Sequence, residues 1–206
     1  LFGSWREIFV IVALFGAGVG IWSALRLPET LAPENRRELT GKRVAEAFKI
    51  VLSNRVAFGY TIATAMIFGV LFGFINQAEQ IYTGAYGLGP YFTLVFSATA
   101  IFMAIASFAN SRLVERFGMR RLSHGALIVF MATAALHLLV AWLSGGAAPL
   151  WFFIPVMTFN FCIFGFIGTN FNALAMDPLG HVAGTASSVL GFMQTFGGGL
   201  IGAFLG

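Results

Sequence analysis

Glu79 falls inside a long apolar stretch. Asn76, Gln77, Gln80 and Thr83 accompany it, and positions 76, 79/80 and 83 share one helical face. A carboxylate among amides and a hydroxyl can bind a cationic substrate or exchange a proton where such a stripe lines a water-filled cavity. The competing reading is geometric. From Val56 to Glu79 a helix rises about 35 Å at ~1.5 Å per residue. That exceeds a hydrocarbon core of ~30 Å, so the stripe can equally sit in the outer interface as wet side chains.

Other polar groups are sparse. Asn160, Asn170 and Asn172 are amides in an apolar stretch and need partners across helices or in a cavity. Asn160, Ile167 and Asn170 share roughly one face, which makes Asn160 and Asn170 further candidates, with Glu79, Asn76 and Gln80, for a substrate or proton path. Asn172 falls with Gly165 and Gly168 and reads as helix-packing glue. His137 is either a proton relay or a packed, hydrogen-bonded ring. Asp177 precedes Pro178 in a turn, where it can cap a helix end. The lone Cys162 permits no internal disulfide and no cysteine-based metal cluster. There is no H-E-x-x-H, no G-x-S-x-G and no pair of aspartates on facing stretches, so nothing supports an intramembrane enzyme. No catalytic residue, metal or cofactor is expected.

These groups must be positioned by membrane helices. The chain is 58% hydrophobic and 10% charged, with mean hydropathy +0.86; soluble domains carry about 25% charged residues. Six stretches are long enough to span: approximately Ile8 to Leu25, Val56 to Tyr82, Phe92 to Asn110, Ser123 to Leu143, Leu150 to Met176 and Val182 to Gly206. Backbone polar groups exposed to lipid must be satisfied within the element, so these are helices and the fold class is all-α. Of 12 Lys+Arg, seven lie between Arg26 and Arg55, four between Arg112 and Arg121, and Arg6 stands apart. By the positive-inside rule both basic segments are cytoplasmic, the linkers around Leu88 and Gly146 face outward, and the chain starts outside. The pI near 9.7 therefore points to lipid headgroups and not to nucleic acid.

Within the first basic segment, beyond Pro28 and Pro33, Thr40 offers an N-cap to Val44, Ala47, Phe48, Val51 and Leu52, with Lys42, Arg43, Glu46 and Lys49 opposite. That spacing predicts an amphipathic helix in the inner interface, or else a charged linker leading into the next span. In the last span Gly184, Ser188 and Gly191, then Gly198, Gly202 and Gly206, are small residues expected to let helix backbones approach.

The second basic segment reads Ser111-Arg112-Leu113-Val114-Glu115-Arg116-Phe117-Gly118-Met119-Arg120-Arg121. A tight turn favours a glycine able to take positive φ, and a carboxylate near several arginines can pair with them or sit against a helix N-terminus. The segment resembles the inter-helix signature of the major facilitator superfamily, G-x-x-x-D-R-x-G-x-R/K-R/K, in its second copy between helices eight and nine. Glu115, Arg116, Gly118, Arg120 and Arg121 match; Ser111 stands for glycine and Glu for Asp. The alternative is an ordinary positive-inside turn with no gating role. Arg26-Leu27-Pro28-Glu29-Thr30-Leu31 looks like the start of the connection between two six-helix halves, and Trp5-Arg6 like the turn into helix six. Asn170 to Ala175, Pro178 and Ala183 to Ser188 look like the helix ten to eleven region of drug:proton antiporters of the bicyclomycin and chloramphenicol resistance type.

The resemblance implies six helices, six to eleven, of a twelve-helix fold. Residues 1–25 would be the last helix of the amino-terminal half, 26–55 the cytoplasmic inter-half loop with its amphipathic helix, and 56–206 an incomplete carboxy-terminal bundle. The abrupt ends at Leu1 and Gly206 read as those of an internal fragment. The implied partners are a small-molecule substrate, protons, the lipid bilayer, and the amino-terminal half and helix twelve of the same protein. The implied function is proton-coupled efflux by alternating access across a bacterial inner (plasma) membrane, with gating by the Glu115 to Arg121 turn. A transporter of a sugar, organic acid or other metabolite is the alternative, and a non-transporting membrane scaffold is the alternative of another class.

Overall fold

The computed structural model describes residues 5–28 and 40–206. Glu29, Thr30, Leu31, Pro33, Arg36 and Arg37 of the first basic segment lie outside the described residues. The chain divides into two compact units, residues 1–40 and 41–206.

In the first unit, α1 (Trp5–Arg26) has Ser23 as its one uncharged polar side chain between Glu7 and Arg26. It is apolar on every side and long enough to span, as a helix immersed in lipid or protein must be.

The second unit comprises α2 (Gly41–Ser53), α3 (Arg55–Glu79), α4 (Phe92–Phe117), α5 (Met119–Leu143), α6 (Leu150–Met176) and α7 (Ala183–Leu205). With α1, five of these are long and apolar enough to cross a membrane; the exception is α2, which is amphipathic. Among the described residues there is no strand. Asn54 separates α2 from α3, leaving the helical region and accepting bonds from the amides of Val56 (3.1 Å) and Ala57 (3.0 Å) as an N-cap. The hydroxyls of Thr61, Thr64, Thr99 and Ser123, all buried, donate to carbonyls four residues earlier, so their protons are satisfied within their own helices.

The helix α6 packs against α3, α4 and α5, while α7 runs mainly along α3. Ile67 of α3 meets Ile163, Ile167 and Phe171 of α6 in mid-bundle. At one end, Ala47 and Val51 of α2 join Ala57, Ala175, Leu179, Ala186, Val189 and Leu190. The amphipathic segment is thus a helix whose apolar face is partly spent on α7, with Phe48 edge-on to Phe192 at 6.0 Å, while Val44 and Leu52 stay exposed.

The contact between α3 and α7 is made by small residues. A Cβ on Gly198 would lie 2.9 Å from the Phe68 Cβ, and one on Gly202 would lie 2.7 Å from the Phe72 Cβ. A Cβ on Gly69 would collide with Ile201. Between helices in lipid, where apolar burial provides little drive, such close approach supplies the dispersion contact that holds the pair.

The small-residue stripe of α7 differs from expectation in its first half. Gly184 has no neighbour within 4 Å of an added Cβ, and Ser188 is exposed, its hydroxyl turned back to the Gly184 carbonyl at 3.3 Å. Counting back from Gly202 and Gly198 in steps of four gives Gln194, Leu190 and Ala186, and all of these are buried, with Val189 beside them. Contact between crossed helices follows such an i±4 ridge, which winds slowly around the axis. The series through Gly191, Ser188 and Gly184 includes a step of three and leaves that ridge.

Candidate functional site

The basic motif is not a loop. Leu, Glu and Arg are good helix formers, and α4 continues through Arg112, Glu115 and Arg116 to Phe117, while α5 begins at Met119. Gly118 alone breaks the two helices, with φ 79° and ψ 147°, a region open in practice only to glycine. Its amide still bonds the Val114 carbonyl at 2.9 Å, and its carbonyl receives the Leu122 amide at 3.1 Å. Arg120 and Arg121 therefore occupy the first turn of α5, where the positive end of the helix disfavours cations.

Glu115, Arg116, Arg120 and Arg121 are exposed, and among the described residues Glu115 makes no ion pair. The expected pairing of the carboxylate with the arginine row is absent from this arrangement. Arg116 instead places its guanidinium 5.5 Å from the Phe117 ring centre, and Arg112 lies 5.7 Å from that of Phe108. Nearby, Tyr60 Oη and His124 Nε2 are 3.1 Å apart, tying the start of α3 to the start of α5.

At the other end, Asn76, Glu79, Gln80 and Thr83 are exposed and Gln77 half-buried. Immediately after Glu79 the helix widens into a π-helical turn, Gln80–Ala85, a departure often found at functional sites. That turn drives Tyr82 fully into an aromatic group with Phe74, Phe92 and Phe153. The Tyr82 hydroxyl lies beside Thr99 without a hydrogen bond of good geometry. Tyr86, just beyond, donates to the Ala148 carbonyl at 2.7 Å and stacks on Phe153, fastening the end of α3 to the turn before α6. Burial pushes the Tyr86 phenol pKa up. His137 of α5 packs edge-on against Phe152 and Phe153 at 5.9 and 5.5 Å.

Of the asparagines of α6, Asn160 and Asn170 find partners across helices, one of the two alternatives expected of them, while Asn172 departs from its expected packing role. Asn160 and Asn170 are buried. Asn160 accepts from the Thr133 hydroxyl of α5, and Asn170 donates to the Asn110 Oδ1 of α4 at 2.8 Å and to the Phe166 carbonyl at 2.7 Å. Each amide thus makes one side-chain bond to a neighbouring helix, Asn160 to α5 and Asn170 to α4. Asn172 is not packing glue: it is exposed, and with Thr169, Ala173 and Met176 of α6 and Ser187, Gly191 and Gln194 of α7 it lines a groove of about 370 Å³. Of the glycines it was grouped with, Gly165 makes the close approach, where an added Cβ would stand 2.8 Å from the Ser107 Oγ. Gln194 was missed because one amide in a glycine-rich span carries no motif; its place in the buried i±4 ridge was the available signal. Cys162 is a half-buried free thiol, and among the described residues no group of His, Cys, Asp and Glu could hold a metal.

Among the described residues, six helices long and apolar enough to cross a membrane, all-helical packing and buried hydroxyls satisfied within their own helices define an integral, multi-pass membrane protein. The chain belongs to the Major Facilitator Superfamily, whose profile matches residues 1–202. It is 29% identical over 212 residues to a bicyclomycin resistance protein homolog of Haemophilus influenzae, covering 99% of this chain and 51% of that protein. It is 28% identical over 209 residues to an uncharacterized MFS-type transporter of Bacillus subtilis, covering 100% and 50%. A Bacillus subtilis glycerol-3-phosphate transporter is 25% identical over 226 residues, covering 96% and 48%. The chain spans about half the length of these curated relatives. No solved structure matches it at comparable significance.

Proposed function

We propose that the protein containing this chain is a proton-coupled secondary transporter that exports small molecules, drugs among them, by alternating access in a bacterial inner membrane. The observation that carries the reading is the likeness to the bicyclomycin resistance protein homolog over nearly the whole chain. In this reading α1 is the last helix of the amino-terminal half, residues 26–55 connect the halves, and residues 56–206 form most of the carboxy-terminal bundle. Further support comes from the turn at Gly118. Two arginines at a disfavoured helix N-terminus, beside a glycine-only backbone, are a poor arrangement for stability alone. As a gate the turn would exchange its contacts between two states of similar energy. Glu79 is the candidate acid for the proton path.

The test is expression of the full-length protein in a bacterial host stripped of its own efflux systems. Resistance to bicyclomycin or chloramphenicol should rise, and fluorescent-substrate efflux should stop when a protonophore collapses the gradient. The likeness to a glycerol-3-phosphate transporter favours a second reading, a metabolite transporter; uptake of organic phosphates with no change in drug resistance would establish it in place of efflux.

A further inference from the structure

We propose that the uncovered face of α2 is a binding site for anionic phospholipid of the inner leaflet, with the headgroup at Lys42 and Lys49 and an acyl chain along Val44, Phe48 and Leu52. The site is independent of what the protein carries. It arises because α2 has more apolar surface than the bundle covers. Ala47 and Val51 form one ridge, buried among Ala186, Val189 and Leu190 of α7. Val44, Phe48 and Leu52, at steps of four, form the next ridge about 60° round the axis. Val44 and Leu52 are 41% and 47% exposed, and Phe48 is half-buried beside Phe192. An open groove of about 670 Å³ follows this second ridge, with Ala45 and Lys49 in its wall. Every residue that lines it belongs to α2, so its other wall is supplied from outside the described residues.

Charge and depth name the occupant. Lys49 lies about 60° beyond Leu52, and Lys42 falls on nearly the same line, ~10 Å along the helix. Both are exposed. Glu46, the one acid of the helix, falls about 200° from Val44, on the far side. The order around the axis is thus bundle ridge, free apolar ridge, lysine line. Lysine stems laid over an apolar ridge carry their ammonium groups out to headgroup level. Protein–protein interfaces are instead depleted in Lys, so this edge favours lipid over a further protein segment. Depth agrees. Asn54 alone separates α2 from α3, which is long and apolar enough to cross the membrane, so α2 is tethered at the membrane surface. The positive-inside rule places that surface in the cytoplasmic leaflet, where anionic headgroups attract cations. A zwitterionic lipid brings the same acyl chain but no net charge for the two lysines.

The experiment uses the full-length protein in phosphatidylcholine nanodiscs, with its cysteines, Cys162 included, replaced by serine and a fluorophore on Leu52→Cys. Bromine on the acyl chains of added phosphatidylglycerol or phosphatidylcholine quenches a fluorophore that they touch. Brominated phosphatidylglycerol should be preferred at this position about 5- to 25-fold, about 5-fold for each lysine, and the preference should fall as salt rises. Lys42→Gln with Lys49→Gln should bring the preference to near unity while both lipids still quench, and should leave the melting temperature in phosphatidylcholine unchanged. A fluorophore on Val44→Cys should repeat the Leu52→Cys result. One on Leu138→Cys, at a 73% exposed position of α5, should show no preference. Equal quenching by the two lipids beside α2, a preference that survives the double lysine change, or the same preference at Leu138→Cys overturns the site. Absence of quenching by either lipid beside α2 also overturns it, and assigns the free ridge to a protein surface such as the amino-terminal half.

Discussion

Asn170 on α6 reaches Asn110 on α4 through an amide-to-amide hydrogen bond of 2.8 Å, with both side chains buried. Shortening Asn170 strands the Asn110 Oδ1, whereas shortening Asn110 leaves Asn170 its bond to the Phe166 carbonyl. Asn170→Ala should destabilise the protein by about 1–3 kcal/mol, the cost of an unsatisfied buried group. Asn110→Leu with Asn170→Leu should cost less than the sum of the two single changes. Thermal unfolding of the four proteins in detergent measures this coupling, and strict additivity would show that the bond does not join the helices.

The approach of α3 to α7 is the second point of vulnerability. Gly202→Val places a branched side chain against the Phe72 Cβ and the Gly73 amide, 2.7 and 3.0 Å from an added Cβ. Overpacking of this kind costs about 1–3 kcal/mol. Gly198→Val should behave alike, while Gly184→Ala, with open space around it, should leave the melting temperature within about a degree or raise it slightly through better helix propensity. Equal tolerance at all three positions would contradict the packing.

At Gly118 the obstacle is conformational and not steric, since nothing lies within 4 Å of an added Cβ. Gly118→Ala should therefore incur most of the penalty of Gly118→Val, on the order of 1–3 kcal/mol if the backbone is held. If the protein works by alternating access as proposed, the conformational cost also shifts the balance between outward- and inward-open states. Glu115→Gln, at an exposed position with no ion pair among the described residues, should keep wild-type thermal stability and change that balance alone. Cysteine accessibility from the two sides of the membrane reports it; unchanged accessibility and transport in both variants would reduce the motif to an ordinary turn.

The helices were legible in the sequence because a span is a property of a long window. An apolar run from Leu150 to Met176 leaves no alternative in lipid, and α6 has those bounds. The turn at Gly118 was legible as a glycine position because one residue type dominates that backbone region. The extension of α4 and α5 up to Gly118 was harder to read, since charge suggests a loop while Arg, Glu and Leu are content in a helix. The side-chain assignments within spans depended on rotation about the helix axis. Asn170 and Asn172 differ by two residues, or about 200° of turn, and this separates a buried interhelical bond from a groove wall. No single-helix pattern could decide which of them faced α4, because that depends on where α4 and α7 lie.

Glu79 is the sharpest test of coupling. It is exposed on the last turn of α3, one residue before the π-helical segment, and about 36 Å of helix separates it from Arg55. Tyr82 and Tyr86, both in the aromatic cluster that joins α3 to the α5–α6 turn, mark the same end of the bundle, and such aromatics concentrate at membrane interfaces. If Glu79 belongs to the proton path despite this position, Glu79→Gln in the full-length protein should abolish proton-driven efflux or leave exchange without coupling. Glu79→Asp should retain part of it. Measuring substrate efflux and the accompanying proton flux in proteoliposomes decides the matter. Normal efflux with normal proton flux in Glu79→Gln would assign Glu79 to the outer interface. The buried amides Asn160 and Asn170 are committed to other helices, so the search for the coupling group would then turn to the rest of the full-length protein.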